Sequence, residues 1–174
     1  MTANPMQPLS DAAADPADPR WAEAWQRESR SARGTRILGQ RIGANLAAGT
    51  VVGLVGTLGA GKTTFVQGLA AGWGLTDLKQ VVSPTYTLMN VYAGGRGPMV
   101  HIDLYRLADA DAAYGLGLEE SIAQQDALIV VEWADHLPEL LPAHAAWIRL
   151  TAPDANQRLL QGLGLPPPPR LKSR

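Results

Sequence analysis

Eight consecutive residues, Gly56-Thr57-Leu58-Gly59-Ala60-Gly61-Lys62-Thr63, place glycine at the first and sixth positions and close on lysine and threonine. Each residue type has a chemical reason to stand there. Gly56, Gly59 and Gly61 permit backbone conformations, and a close approach, that a Cβ would forbid. Successive N–H groups can then turn inward as an anion nest, and a helix starting near Lys62 adds the positive end of its dipole. Lys62 is expected to reach the β- and γ-phosphates, the Thr63 hydroxyl to ligate Mg²⁺, and Thr64, more weakly, to meet the α-phosphate. The pattern predicts a phosphate loop (P-loop) that takes ATP with its Mg²⁺.

Magnesium in such a site needs a second protein oxygen, ordinarily a carboxylate where a neighbouring strand ends. Glu132 closes the apolar run Ala127-Leu128-Ile129-Val130-Val131 and has that form. Asp103 lies inside Met99-Val100-His101-Ile102-Asp103-Leu104-Tyr105, where alternation sets it on one face with His101 and Tyr105. Its role is left open between metal, water and γ-phosphate. His101 reads as a structural hydrogen-bonding residue. His136 and His144 lack metal-ligand spacing.

The elements that must position these groups are legible around them. Leu38, Ile42 and Leu46 recur every four residues between the hydroxyl of Thr35 and Gly49, which predicts an amphipathic helix capped at Thr35. Residues 50–55 form a β-branched run suited to a strand covered on both faces. Phe65, Leu69 and Trp73 repeat after the glycine loop, and Gly74 stops that helix. Residues 83–92 are β-favouring and lead through the turn at residues 93–98 into residues 99–105, as in a hairpin. Helix is expected between Ala110 and Ser121, and further strands over residues 127–131 and 146–150. Alternating strands and helices after a phosphate loop predict an α/β sandwich of the P-loop NTPase type, its sheet mostly parallel or mixed and helices on both faces.

A chain of 174 residues with 46% hydrophobic and 18% charged residues suits one globular domain, expected over residues 25–164. Residues 1–24, rich in Pro, Ala and Asp, are expected to be a disordered extension. Residues 165–174, with four consecutive prolines and then Arg170, Lys172 and Arg174, are expected to be a solvated basic tail. The formal net charge of −1 gives no general attraction for DNA or an anionic membrane. No apolar run is long enough for a membrane span. The absence of cysteine excludes disulfides and thiolate metal sites and suits a cytoplasmic setting.

Four segments, GTLGAGKTTF from Gly56, SPTYTL from Ser83, HIDLYRL from His101 and VEW from Val131, together resemble the TsaE family. That family is the ATPase component of tRNA N6-threonylcarbamoyladenosine synthesis, and the similarity runs from about Thr35 to Leu150. The resemblance implies ATP binding and slow hydrolysis in support of TsaD and TsaB, which modify an adenosine of the tRNA anticodon loop. Contact with tRNA would be indirect, through the complex. It further implies a switch-like loop at Ser83 to Thr87, with Thr85 its best polar contact to the γ-phosphate. Thr63 and Glu132 fall on the family's magnesium positions and Asp103 on its functional acid. Thr35 falls near the nucleotide, and Arg158 on a late basic residue at the nucleotide edge. One departure stands out: the family's loop usually has Asp at the position of Thr57, which predicts intact ATP binding with altered turnover.

Three other readings stay open. A small-molecule P-loop kinase would need a basic lid, and residues 109–125 hold no Lys or Arg. A GTP switch would need an Asn-Lys-x-Asp element, which none of Lys62, Lys79 and Lys172 permits. An ATP-dependent assembly scaffold with little turnover is compatible with the residues, and Thr57 favours it.

Overall fold

The computed structural model describes residue 15 and residues 17–171. Its elements, in chain order, are α1 (Arg20–Glu23), β1 (Trp25–Ser29), α2 (Ala32–Gly43), β2 (Val51–Val55), α3 (Lys62–Trp73), β3 (Met89–Tyr92), β4 (Met99–Asp103), α4 (Ala110–Gly115), α5 (Leu118–Ile122), β5 (Leu128–Glu132), β6 (Ala146–Thr151) and β7 (Arg158–Leu163). The strands make one mixed sheet in the order β1-β7-β6-β2-β5-β4-β3. Its centre, β6-β2-β5-β4, is parallel, while β3 and the β7–β1 pair run antiparallel at the two edges.

The central strands are buried along their length, as a sheet covered on both faces requires. Val52, Leu54, Val130 and Ile148 face α2 and α3, where Leu38, Phe65, Leu69 and Trp73 complete one core. Val51, Val55, Ile129 and Trp147 face the other way, toward Trp21, Leu118, Ile122 and Leu141. The first core sets the position of the phosphate loop, because α2 and α3 lie backbone to backbone. A Cβ on Gly43 would strike the Leu69 carbonyl, and one on Gly68 the Arg36 carbonyl. No larger residue allows that approach.

Several elements differ from the sequence expectation, each for a local reason. The first helix begins earlier than predicted: Ser31, not Thr35, is its cap, accepting from the Gly34 N–H. Thr35 sits inside the helix, its hydroxyl 3.0 Å from that of Ser29 and 3.3 Å from the Ser31 carbonyl it donates to. Residues 83–88 are not strand. The Leu88 N–H returns to the Pro84 carbonyl at 2.6 Å, with Leu88 in the left-handed region, and strand pairing starts only at Met89.

The chain ends also differ. Of the predicted extension 1–24, residues 1–14 and 16 lie outside the described residues, but residues 20–23 form a turn of helix. Trp21 in that turn is 3% exposed and stacks on the Arg149 guanidinium at 4.0 Å. Of the predicted tail 165–174, residues 172–174 lie outside the described residues. The Leu165 carbonyl accepts from the Trp25 indole, the Pro168 carbonyl from Arg27, and those of Pro169 and Arg170 from Arg41. Among the described residues no helix is long and apolar enough to cross a membrane.

Candidate functional site

The site grows from the C-terminal ends of three adjacent parallel strands. β2 delivers the chain into the glycine loop, and the register pairs Leu54 with Glu132 and Asp103 with Glu132. Both acids are thereby brought beside the loop, on neighbouring strands. Gly61, at φ +101°, is the residue from which α3 starts, and Gly59 is also left-handed at +77°. The loop closes on itself, with the Ala60 N–H donating to the Thr57 carbonyl at 3.1 Å, and α3 begins at the edge of the concavity, so that its N-terminal end can favour an anion there.

Lys62 is buried in that concavity. Its Nζ donates to the carbonyls of Gly56 at 2.6 Å and Thr57 at 3.1 Å, and stands 3.6 Å from the centroid of the Trp133 ring. Burial lowers its pKa from the ordinary lysine value, against the opposing attraction of Glu132, Asp103 and Asp135. Trp133 is held with φ at +56°, a conformation a bulky side chain rarely takes, and its ring packs on Tyr105 and His136.

Thr63 and Glu132 meet across the cleft. The Thr63 hydroxyl donates to Glu132 Oε1 at 2.9 Å and lies 3.3 Å from Oε2. Glu132 is 2% exposed, and its Oε1 also lies 2.9 Å from His101 Nε2. Asp103, 1% exposed, gathers the loop 83–88. Its Oδ2 accepts from Ser83 at 2.7 Å and Thr85 at 2.6 Å, and its Oδ1 accepts the Tyr105 N–H at 2.9 Å. Ser83 and Thr85 are themselves 2.9 Å apart. Asp103 thereby holds the loop through two hydroxyls on one carboxylate oxygen.

These groups line a cleft of about 370 Å³ bounded by Lys62, Thr63, Thr85, Asp103, Glu132 and Trp133. A recess of about 300 Å³ adjoins it over Gly59, Gly61 and Thr64, with Ser31, Thr35 and Arg158 on its far side. The two lobes suit a phosphate chain in the first and a nucleoside in the second. Arg158 reaches back to the Gly59 carbonyl at 3.3 Å and otherwise braces the turn before β7. Thr57 and Leu58 are exposed at the rim, and Ala60 is buried beneath the loop. Size alone does not select this cleft. Another of about 390 Å³ lies along β1 and the C-terminal segment, but its charged lining residues, Arg27, Glu28 and Arg170, are not buried and do not converge.

The donor set fits magnesium. A hydroxyl and a carboxylate in contact at the lip of an anion nest offer hard oxygen ligands and no sulfur or imidazole. Among the described residues no cluster of three or more His, Cys, Asp and Glu could hold a metal alone.

Of the site residues predicted from the sequence, Leu58, Gly59, Gly61, Lys62, Thr63, Thr64, Thr85, Asp103 and Glu132 line the first lobe or its edge, Thr35 and Arg158 line the second, and Gly56, Thr57 and Ala60 line neither. Ser29 lies outside every element expected from the sequence, and Ser83, within the expected switch-like loop, makes a contact that the sequence did not single out. Ser83 shares Asp103 with Thr85, and the hydroxyl of Ser29 fixes Thr35 from β1, a strand too polar to be visible in the hydrophobic pattern. His101 had been read as a hydrogen-bonding residue, but nothing in the sequence identified Glu132 as its partner.

Comparison with known proteins agrees with the geometry. The family described as "Threonylcarbamoyl adenosine biosynthesis protein TsaE" matches residues 29–160. The chain is similar to the tRNA threonylcarbamoyladenosine biosynthesis protein TsaE of Nostoc, with 45% identity over 60% of this chain and 64% of that one. It thus spans just under two thirds of that relative's length. The TsaE of Treponema pallidum is 40% identical over 70% of this chain and 87% of its own, and that of Streptomyces coelicolor 38% identical over 74% and 90%. The crystal structure of Bacillus subtilis YdiB superposes with a TM-score of 0.66 at 31% identity, covering 80% of this chain and 84% of that one. With the P-loop-type α/β fold, the cleft at the glycine loop and the family match in agreement, the chain belongs to the TsaE family of tRNA threonylcarbamoyladenosine biosynthesis.

Proposed function

We propose that this protein binds ATP with Mg²⁺ and hydrolyses it slowly, in the cytoplasm, in support of a TsaD–TsaB complex that threonylcarbamoylates tRNA. The observation that carries the reading is the contact of Thr63 with Glu132 at 2.9 Å, at the mouth of a glycine loop whose lysine is already inside the cleft. ATP lies with its phosphates in the first lobe and its nucleoside in the second, between Thr35 and Arg158. Backbone N–H groups of residues 56–63 and the Lys62 ammonium hold the phosphates. Thr63 and Glu132 would hold Mg²⁺, and the ion would supply positive charge to offset negative charge developing on the phosphates. Trp133 and Tyr105 wall the γ-phosphate end and limit water there. Asp103, buried and fixed by Ser83 and Thr85, is the carboxylate that orients the attacking water or the loop bearing Thr85. Because that loop is tied to Asp103 by two hydroxyls, a terminal phosphate competing for Thr85 changes the surface offered to a partner.

Titration calorimetry with ATP, with and without Mg²⁺, tests the nucleotide part of this reading. Wild-type protein is expected to bind ATP more tightly with Mg²⁺, and Lys62→Ala to lose affinity by at least about tenfold, the scale of one charge-assisted contact to phosphate. Equal affinity in the wild type and Lys62→Ala would contradict it. A second reading, an assembly scaffold with little turnover, rests on Thr57, which offers no negative charge at the loop's second position. Equal support of complex assembly by ATP and by a non-hydrolysable analogue would favour that reading.

A further inference from the structure

We propose that His101 is the positioning residue for the metal-binding carboxylate, holding Glu132 so that one oxygen is committed and the other is directed at the cation. The inference rests on the Mg²⁺–ATP reading above. His101 is on β4, one strand beyond Glu132, and two residues before Asp103, the register partner of Glu132. Side chains two apart share a face, so His101 reaches Glu132 diagonally across the sheet. The contact is wholly interior: His101 is 0% exposed, Glu132 2%, and Nε2 lies 2.9 Å from Oε1.

The two oxygens of Glu132 are unequally engaged. Oε1 accepts from both His101 and Thr63 at 2.9 Å, whereas Oε2 has only the longer 3.3 Å approach of Thr63. The Thr63 hydroxyl can give a lone pair to a cation and still donate its proton to the carboxylate, but it turns freely about its own bond, whereas the imidazole is fixed by its strand. His101 is then the side chain that keeps Glu132 from rotating. The imidazole itself has little freedom. Its Nδ1 is buried and meets no hydrogen-bonding group of the described residues, the Tyr92 ring stands 6.4 Å from its own, and its strand is paired on both sides. A fully buried imidazole with a single polar partner among the described residues is set for that partner. Groups that hydrogen-bond a ligating side chain contribute to metal affinity on the order of 10–100-fold.

The test compares His101→Gln with His101→Met, side chains of nearly equal length of which only the first can donate to Oε1. ATP affinity is measured by calorimetry across a Mg²⁺ titration, beside thermal unfolding of each variant. His101→Met is expected to need roughly 10–100-fold more Mg²⁺ for the same gain in ATP affinity, with Mg²⁺-free ATP affinity unchanged. His101→Gln is expected to restore most of the Mg²⁺ response. Should His101→Met be too unstable to assay, His101→Asn, whose amide is too short to reach Oε1, is expected to show the same loss. A normal Mg²⁺ response in the non-donating variants overturns the inference. So does a His101→Gln protein as impaired as His101→Met, or a parallel fall in Mg²⁺-free affinity. A wild-type protein whose ATP binding ignores Mg²⁺ would instead overturn the nucleotide reading, and this inference with it.

Discussion

Lys62 stands where two demands on one ammonium meet. Burial works against its charge, and the surrounding acids only partly offset that cost. A phosphate chain arriving at the same atom favours the protonated form, so binding raises the lysine's pKa. Below the ordinary value of 10.5 and above the lowered one, the free protein carries a smaller share of protonated Lys62 than the complex. ATP binding is therefore expected to take up a proton in that window and to weaken as pH rises through it. The same shift makes folding stability rise with pH there, because the unfolded chain holds more protons. Calorimetry in buffers of different ionisation enthalpy measures the uptake, and a buffer-independent enthalpy across the window would contradict it. Thr57 is the other informative residue. Thr57→Asp is expected to leave ATP affinity near wild type while raising turnover in the assembled complex, and unchanged turnover would show that Thr57 does not alter hydrolysis.

Among the elements, the α2–α3 contact bears most directly on the site, since it fixes the first turn of α3 and with it Lys62 and Thr63. Gly68→Ala pushes a methyl into the Arg36 backbone, which cannot yield as a side-chain end would. A loss of about 2 kcal/mol is expected, within the range for overpacking, or roughly 4–8 °C in Tm; an unchanged melting curve would show that the helices separate freely. These helices and the central strands were legible in the sequence, because helices need a four-residue apolar repeat and buried parallel strands a continuous apolar run. β1 and β7 were not. β1 lies at the sheet edge with alternating exposure, and β7 mixes Arg158 and Gln161 with its leucines. The glycine loop and the acid at the end of β5 announced themselves through their own chemistry. The contacts of Glu132 with His101 and of Asp103 with Ser83 depend on strand register, which residue spacing does not carry. The turn over residues 83–88 escaped for a related reason: β-favouring residues entered a loop closed on Pro84, and tertiary contact with Asp103 outweighed propensity.

At the scale of the whole molecule, residues 20–23 and 165–170 are fastened to the domain. Trp21 covers Arg149 on one face, and the proline segment crosses β1 and α2 on the other. Ending the chain after Leu165 removes three hydrogen bonds from Arg27 and Arg41 to carbonyls of the segment, and the packing of the buried Pro168. At a net contribution of ~1 kcal/mol or less for each partly exposed bond, a loss of about 2 kcal/mol is expected in denaturant unfolding. No change would show that the segment merely rests on the surface. The proposed role of this fold is a Mg²⁺–ATP site whose turnover serves a tRNA-modifying complex. ATP hydrolysis by the purified protein, alone and with TsaD and TsaB, beside Lys62→Ala and Glu132→Ala, tests it. Slow hydrolysis alone, stimulation by the partners, and loss of that stimulation in both variants are expected. Tight ATP binding without turnover in either setting, or stimulation that survives Glu132→Ala, would contradict it.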